Sequence, residues 1–161
     1  MGFLDRFKGA KSWYNEGVKM TREMRYYEAL DCFDKAVKKD PEFDLAWNSR
    51  GLILEKFEKY QEALESFDKA LGIDPEFVLA WINRGIVLGK LGKYHEAIKQ
   101  FDKALELHSD HVMALSNKGI AYKHLKKFEN SHECFDKALE IDPTYSPALK
   151  GLKSLKDENG R

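Results

Sequence analysis

The tetrapeptide Phe-Asp-Lys-Ala stands four times in the chain, at 33–36, 67–70, 101–104 and 135–138, always 34 residues apart. Asp-Pro keeps the register at Asp40-Pro41, Asp74-Pro75 and Asp142-Pro143, while the third copy has His108-Ser109 instead. Upstream, Trp13, Trp47, Trp81 and Leu115 share the period, as do Gly17, Gly51, Gly85 and Gly119. Several residue types held in one register through four copies exclude coincidence. A repeat of this length is one supersecondary unit that cannot bury its apolar face alone, so the chain is a stacked array and not a single globule. The units run 10–43, 44–77, 78–111 and 112–145, between an N-terminal extension (1–9) and a C-terminal stretch (146–161).

Each unit reads as two amphipathic helices by its 3.6-residue periodicity. The first carries Trp47, Gly51 and Leu54, in the second unit's numbers, and the second carries Tyr60, Ala63, Phe67 and Ala70. A short turn such as Phe57-Glu58-Lys59 joins them. The next helix starts after Asp-Pro, where proline is tolerated in a first turn. Gly51 and Ala63 fall where the two helices cross, since small residues let backbones approach closely. Trp47 and Phe67 fill the space beside them, and Ala70 accommodates the first helix of the following unit. Residues 146–157 read as a ninth helix, with Ala148 and Leu149 in the register of Ala46-Trp47. Leu152 and Leu155 extend its apolar stripe, and Lys150, Lys153 and Lys156 keep the outer face wet. An open stack needs such a cap, because the last unit would otherwise expose its core face.

Composition narrows the partners. The 27 Lys and Arg balance 27 Asp and Glu, the second unit alone departs strongly at −4, and no unit is strongly basic. That argues against a nucleic-acid binder. With 34% charged residues the chain has no apolar run long enough for a membrane span. Two cysteines, Cys32 and Cys134, are too few for a disulfide framework and are expected as free thiols near the outer face of a cytoplasmic protein. Met1 to Lys8 lacks the features of a secretory signal, and Arg6 stands where a myristoylation motif wants Ser or Thr. Phe3, Leu4 and Phe7 are expected to extend the first helix. Docking into a neighbouring molecule is an alternative, as is a weak membrane touch short of a stable anchor. There is no Gly-rich phosphate loop, nucleophile elbow or His-Glu-x-x-His site. His108 and His111 flank Asp110, but in the turn that lost its Asp-Pro, so drift explains them better than a metal. No catalytic residue, metal or cofactor is expected.

These residues resemble the tetratricopeptide repeat. In the second unit Trp47, Gly51, Ala63, Phe67, Ala70 and Pro75 stand at that family's unit positions 4, 8, 20, 24, 27 and 32, with Leu54 where the pattern has Tyr. The fourth unit departs further, with Leu115 and Ser131, yet restores Tyr122. The resemblance implies an all-α fold: a right-handed superhelical array of antiparallel helix pairs with a C-terminal capping helix. It also implies a non-enzymatic protein–protein interaction scaffold that binds a peptide or helical segment in a concave groove. Self-association is the alternative, and a metal-binding protein or enzyme a more distant one.

In that family the groove is lined by unit positions 2, 5, 9, 12 and 13, with position 6 close by. Here the ninth positions hold Val18, Leu52, Ile86 and Ile120, and the second positions hold Leu45, Leu79 and Met113 after Lys11. The fifth hold Tyr14, Asn48, Ile82 and Ser116, the sixth Asn15, Ser49, Asn83 and Asn117. The thirteenth hold Arg22, Lys56, Lys90 and His124. A contiguous apolar face left uncovered marks a binding surface, unless curvature already half-buries it between neighbouring helices. The basic residues suit an acidic peptide, or merely complement helix C-termini. The Asn amides can bond a peptide backbone. One branch of the family grips acidic chaperone tails through a carboxylate clamp. Its places are filled here by Tyr14, Val18, Ser49, Leu79 and Asn83, or in the next frame by Asn48, Leu52, Asn83, Met113 and Asn117, and no clamp cation survives. The expected partner is therefore another protein, or a second copy, but not a chaperone tail of that kind.

Overall fold

The structure is a computed structural model and describes residues 9–159. Among them are nine α-helices and no strand. The helices are α1 Ala10–Arg22, α2 Tyr26–Lys39, α3 Asp44–Lys56, α4 Tyr60–Ile73, α5 Val78–Lys90, α6 Tyr94–Leu107, α7 Val112–His124, α8 Phe128–Ile141 and α9 Ser146–Asn159. Each 34-residue repeat thus contributes two helices, and α9 follows the fourth pair. The chain divides after Ala80 into two compact units, and each is described by itself. The sequence expectation for Phe3, Leu4 and Phe7 lies outside the described residues.

In the first unit, α1 packs on α2 and α3 on α4, and α2 also packs on α3. Phe33 and Phe67, from the repeated tetrapeptide, are buried at the centres of these pairs. Each ring lies against a glycine. A Cβ added at Gly17 would stand 2.7 Å from Phe33, and one at Gly51 would stand 2.5 Å from Phe67. The repeated glycine is therefore the seat of the repeated phenylalanine, and no larger residue fits unless the ring or the helix shifts. Burying each ring is worth about 1.5–3 kcal/mol.

The polar members of the repeat have structural partners as well. Asp34 accepts a 2.6 Å bond from Arg50 Nε on the next pair, and Arg50 Nη1 also donates to Ser66 Oγ at 2.7 Å. Lys35 sits 4.3 Å over the Trp13 ring and pairs with Asp31 at 2.6 Å. The Asp-Pro step is a turn device: Asp40 Oδ1 accepts the Glu42 N–H at 3.1 Å, and Trp47 Nε1 donates to the Pro41 carbonyl at 2.8 Å. Trp47 thus ties α3 to the turn that precedes it. Met24 and Glu58 close the turns between paired helices in the left-handed region, with φ of 60° and 59°. There the N–H of Arg25 reaches back to the Met20 carbonyl at 2.9 Å, and that of Lys59 to Leu54 at 2.9 Å. These are Schellman closures, in which the residue after the left-handed one recovers an orphan carbonyl.

The second unit repeats this construction. Phe101 and Phe135 are buried against Gly85 and Gly119, where an added Cβ would lie 2.5 Å and 2.8 Å from the rings. Asp102 bonds Lys118 at 2.6 Å, the counterpart of Asp34 with Arg50. Ser131, where other copies have alanine, is buried and its hydroxyl donates to the Gly119 carbonyl at 2.8 Å. Helix α9 packs on α8 and α7, burying Ala148 and Leu155. It comes so close that Gly151 lies against Phe135 with no space for a Cβ. The phenylalanine of the fourth pair is held between two glycines.

Cys32 and Cys134 are buried thiols, not groups near the outer face. Both lie on second helices that present this position to the packed interface, and burial raises the Cys134 pKa above the usual thiol value.

Candidate functional site

The candidate surface is the face of the first helices that their partner helices do not cover. In the first unit Leu45, Leu52 and Leu79 are 43%, 40% and 43% exposed, and Val18 is half-buried. A cavity of about 150 Å³ opens between α1 and α3, lined by Val18, Thr21, Arg22, Phe33, Leu52 and Ile53 together with Ser49. A second, of about 320 Å³, is lined by Lys11, Tyr14, Asn15, Asp40, Phe43 and Leu45. Of the thirteenth positions, Arg22 and Lys56 are exposed, and Lys56 Nζ lies 4.5 Å from the Tyr26 ring centre.

In the second unit Ile86, Met113 and Ile120 are half-buried and Lys90 is exposed. A cavity of about 380 Å³ lies between α5 and α7, with Ile86, Lys90, Asn117, Ile120 and His124 on its wall and Phe101 beneath. His124 stacks on Tyr94, with ring centres 4.6 Å apart and planes 1° from parallel. Asn117 gives one N–H to the Met113 carbonyl at 2.8 Å, which leaves its other N–H and its carbonyl for a ligand. Asn83 is half-buried.

The fifth positions correct the sequence expectation. Ile82 is fully buried, and Asn48 and Ser116 nearly so, so none of the three is available to a ligand. The reason shows at Tyr14, which is half-buried with its ring 5.9 Å from Phe33 and 5.0 Å from Phe43, the last residue of its own repeat. At Tyr14, position five faces the closing turn of its repeat. Tyr26 and Tyr94, by contrast, belong to the surface and were not foreseen. They open second helices, and only their contact with Lys56 and His124 reveals them.

Among the described residues no three His, Cys, Asp or Glu are grouped to hold a metal ion. His108 and His111 meet edge to face, with ring centres 5.6 Å apart. His111 Nδ1 is buried without a partner, and burial, followed by the His108 charge, holds its pKa below the usual imidazole value. No described helix is long and apolar enough to cross a membrane.

Known proteins agree with this architecture. Tetratricopeptide repeat models match residues 45–77 and 76–144, together well over half of the chain. No curated protein sequence matches it. Among solved structures, that of PilW, a type IV pilus biogenesis factor, superposes with a TM-score of 0.87 at 28% identity, over 94% of this chain and 70% of PilW. MamA superposes at 0.79 with 19% identity, over 83% of this chain and 78% of MamA. The first tetratricopeptide repeat domain of Spaghetti (RPAP3), bound to an HSP90 peptide, superposes at 0.69 with 24% identity, over 73% of this chain and 94% of that domain. Four helix pairs built on one Gly–Phe seat, and the sequence models that match them, place this chain in the tetratricopeptide-repeat family.

Proposed function

We propose that the chain is a non-enzymatic scaffold that captures a segment of another protein on the inner faces of its first helices. The observation that carries this reading is the exposure of Leu45, Leu52 and Leu79 on first helices, while the unit's other exposed large apolar residues, Met24 and Tyr27, lie at the turn between α1 and α2. Leaving such side chains in water has no folding benefit, and a rigid apolar face with polar rims suits a helical or extended peptide. A domain of this fold bound to a peptide is on record in the Spaghetti structure. The binding residues in this reading are Val18, Leu45, Leu52 and Leu79 in the first unit. In the second they are Ile86, Met113, Asn117 and Ile120. Rim cations Arg22, Lys56 and Lys90 flank them. Asn83 belongs to the same register.

The test is selection of peptides from a displayed random library against the full chain. Selected peptides are expected to lose at least about tenfold in affinity on Leu52→Asp or Ile86→Asp, the order of burying a charge in an apolar contact. Peptides that bind folded Leu52→Asp and Ile86→Asp as well as wild type would move the site to the second helices.

A further inference from the structure

Seven residues lining the cavity between α5 and α7 have counterparts in register that line the cavity between α1 and α3, yet about 380 Å³ stands against about 150 Å³. Six of these seven positions differ, and two of the exchanges remove most side-chain bulk: Gly89 stands where the first unit has Thr21, and Ala121 where it has Ile53. Gly89 is not required by packing, since a Cβ there would meet nothing within 4 Å. Nor is it required by the backbone. Gly92 N–H donates to the Gly89 carbonyl at 3.0 Å, and Met24, Glu58 and Lys126 make the same bond to Thr21, Glu55 and Lys123 at 3.1, 2.9 and 2.9 Å. A glycine in a helix that neither conformation nor contact demands lowers stability relative to alanine. What it supplies here is volume.

The walls of that volume are apolar, from Ile86, Phe101 and Ile120, and its mouth carries Lys90 and the Tyr94-stacked His124. No carboxylate lines it. Charge complementarity therefore selects an acidic ligand, and the volume admits a large side chain.

We infer that this cavity is an anchor pocket for one bulky apolar side chain of an acidic peptide segment. The inference rests on the scaffold reading and deepens it: the α1/α3 and α5/α7 cavities differ in what they accept, and of these two only the latter seats a side chain of aromatic size. The apolar side chain enters beside Gly89 and Ala121. Flanking carboxylates meet Lys90 and His124. Asn117 keeps an N–H and a carbonyl for the peptide backbone.

The test uses three labelled 12-residue peptides and the full chain, read by fluorescence anisotropy. One is acidic with a central tryptophan, one is the same with alanine for tryptophan, and one has lysine for every acidic residue. Variants Gly89→Thr and Ala121→Ile refill the pocket to the pattern of the first unit, and helicity and urea midpoints show that they fold. The acidic tryptophan peptide is expected to bind wild type. Its affinity should fall at least about tenfold in the refilled double variant, as methyl-sized changes in an apolar pocket do. The alanine and lysine peptides should each bind at least about tenfold more weakly than it does, since each lacks one of the two features the pocket reads. Equal binding to wild type and refilled variants overturns the anchor pocket, and if Ile86→Asp still abolishes that binding, the inner-face reading stands. Preference for the lysine peptide overturns the acidic class. No binding of the tryptophan peptide to wild type overturns the inference, and the library selection then decides the scaffold reading alone.

Discussion

Two glycines on first helices have opposite meanings, and substitution separates them. Gly51 is in contact with Phe67, whereas Gly89 faces open space. Gly51→Ala is therefore expected to cost about 1–3 kcal/mol through overpacking. Gly89→Ala should stabilise by up to about 1 kcal/mol through helix propensity. Urea denaturation of both variants measures the contrast. His111 supplies a second test. Its pKa is depressed in the fold by burial and the His108 charge, so the unfolded chain takes up a proton that the folded chain resists. That contribution to stability is intact above the unfolded pKa of about 6.5 and declines as pH falls toward the folded value. His111→Phe, which installs the residue found at Phe43 and Phe77, should lose less melting temperature than wild type on acidification. Asp110 and His108 remain in both proteins, so the difference isolates His111. The glycine register was legible in the sequence because it repeats. Its cause was not: small residues at a crossing suggest backbone contact, and the structure shows a phenylalanine seat instead. Ile82 and Asn48 were misplaced for a related reason. Their burial depends on tertiary packing, which periodicity along one helix does not contain.

At the scale of elements, the turns between paired helices were the least legible part. Position fifteen of each repeat is left-handed, yet only Gly92 is a glycine there; Met24, Glu58 and Lys126 adopt φ near 60° without one. The Schellman hydrogen bonds hold them in it. The left-handed state costs a side-chain-bearing residue about 1–2 kcal/mol, so Lys126→Gly is expected to raise stability by up to about 1 kcal/mol after the entropy of glycine is set against it. A lower stability for Lys126→Gly, measured by thermal melting, would mean that its side chain contributes an interaction there. The ion pairs between successive helix pairs are modest. Arg50 and Asp34 are 22% and 49% exposed, so solvent screens them, and a double-mutant cycle should return under about 1 kcal/mol. Their value is register: Asp34 and Asp102 each find a cation on the next first helix, Arg50 and Lys118. In the fourth string Asp136 bonds His132 of its own helix at 2.8 Å, because α9 has Leu152 at the corresponding place. Helix α9 also has Lys153 where every preceding first helix offers its glycine seat. It covers Phe135 but offers no seat to a helix of its own, which is the behaviour of a cap.

At the scale of the whole molecule, the repeat made the fold readable because each unit is stabilised by contacts of short sequence separation. The exposure of Leu45, Leu52 and Leu79 at the second and ninth positions was readable too, whereas Val18, Ile86, Met113 and Ile120 at equivalent positions are half-buried. What the sequence could not reveal was the difference between copies. Thr21 and Gly89, or Ile53 and Ala121, are unremarkable substitutions in a list, and become a difference of cavity volume only when packed. The central claim is that a partner segment lies on the first helices. The most direct measurement is a titration of a library-selected peptide into the full chain, followed residue by residue through backbone amide NMR shifts. The account predicts that shifts concentrate at first-helix residues such as Val18, Leu52, Ile86 and Ile120. Shifts concentrated on the exposed face of α4 or α6, at residues such as Glu65 or Lys99, would contradict it.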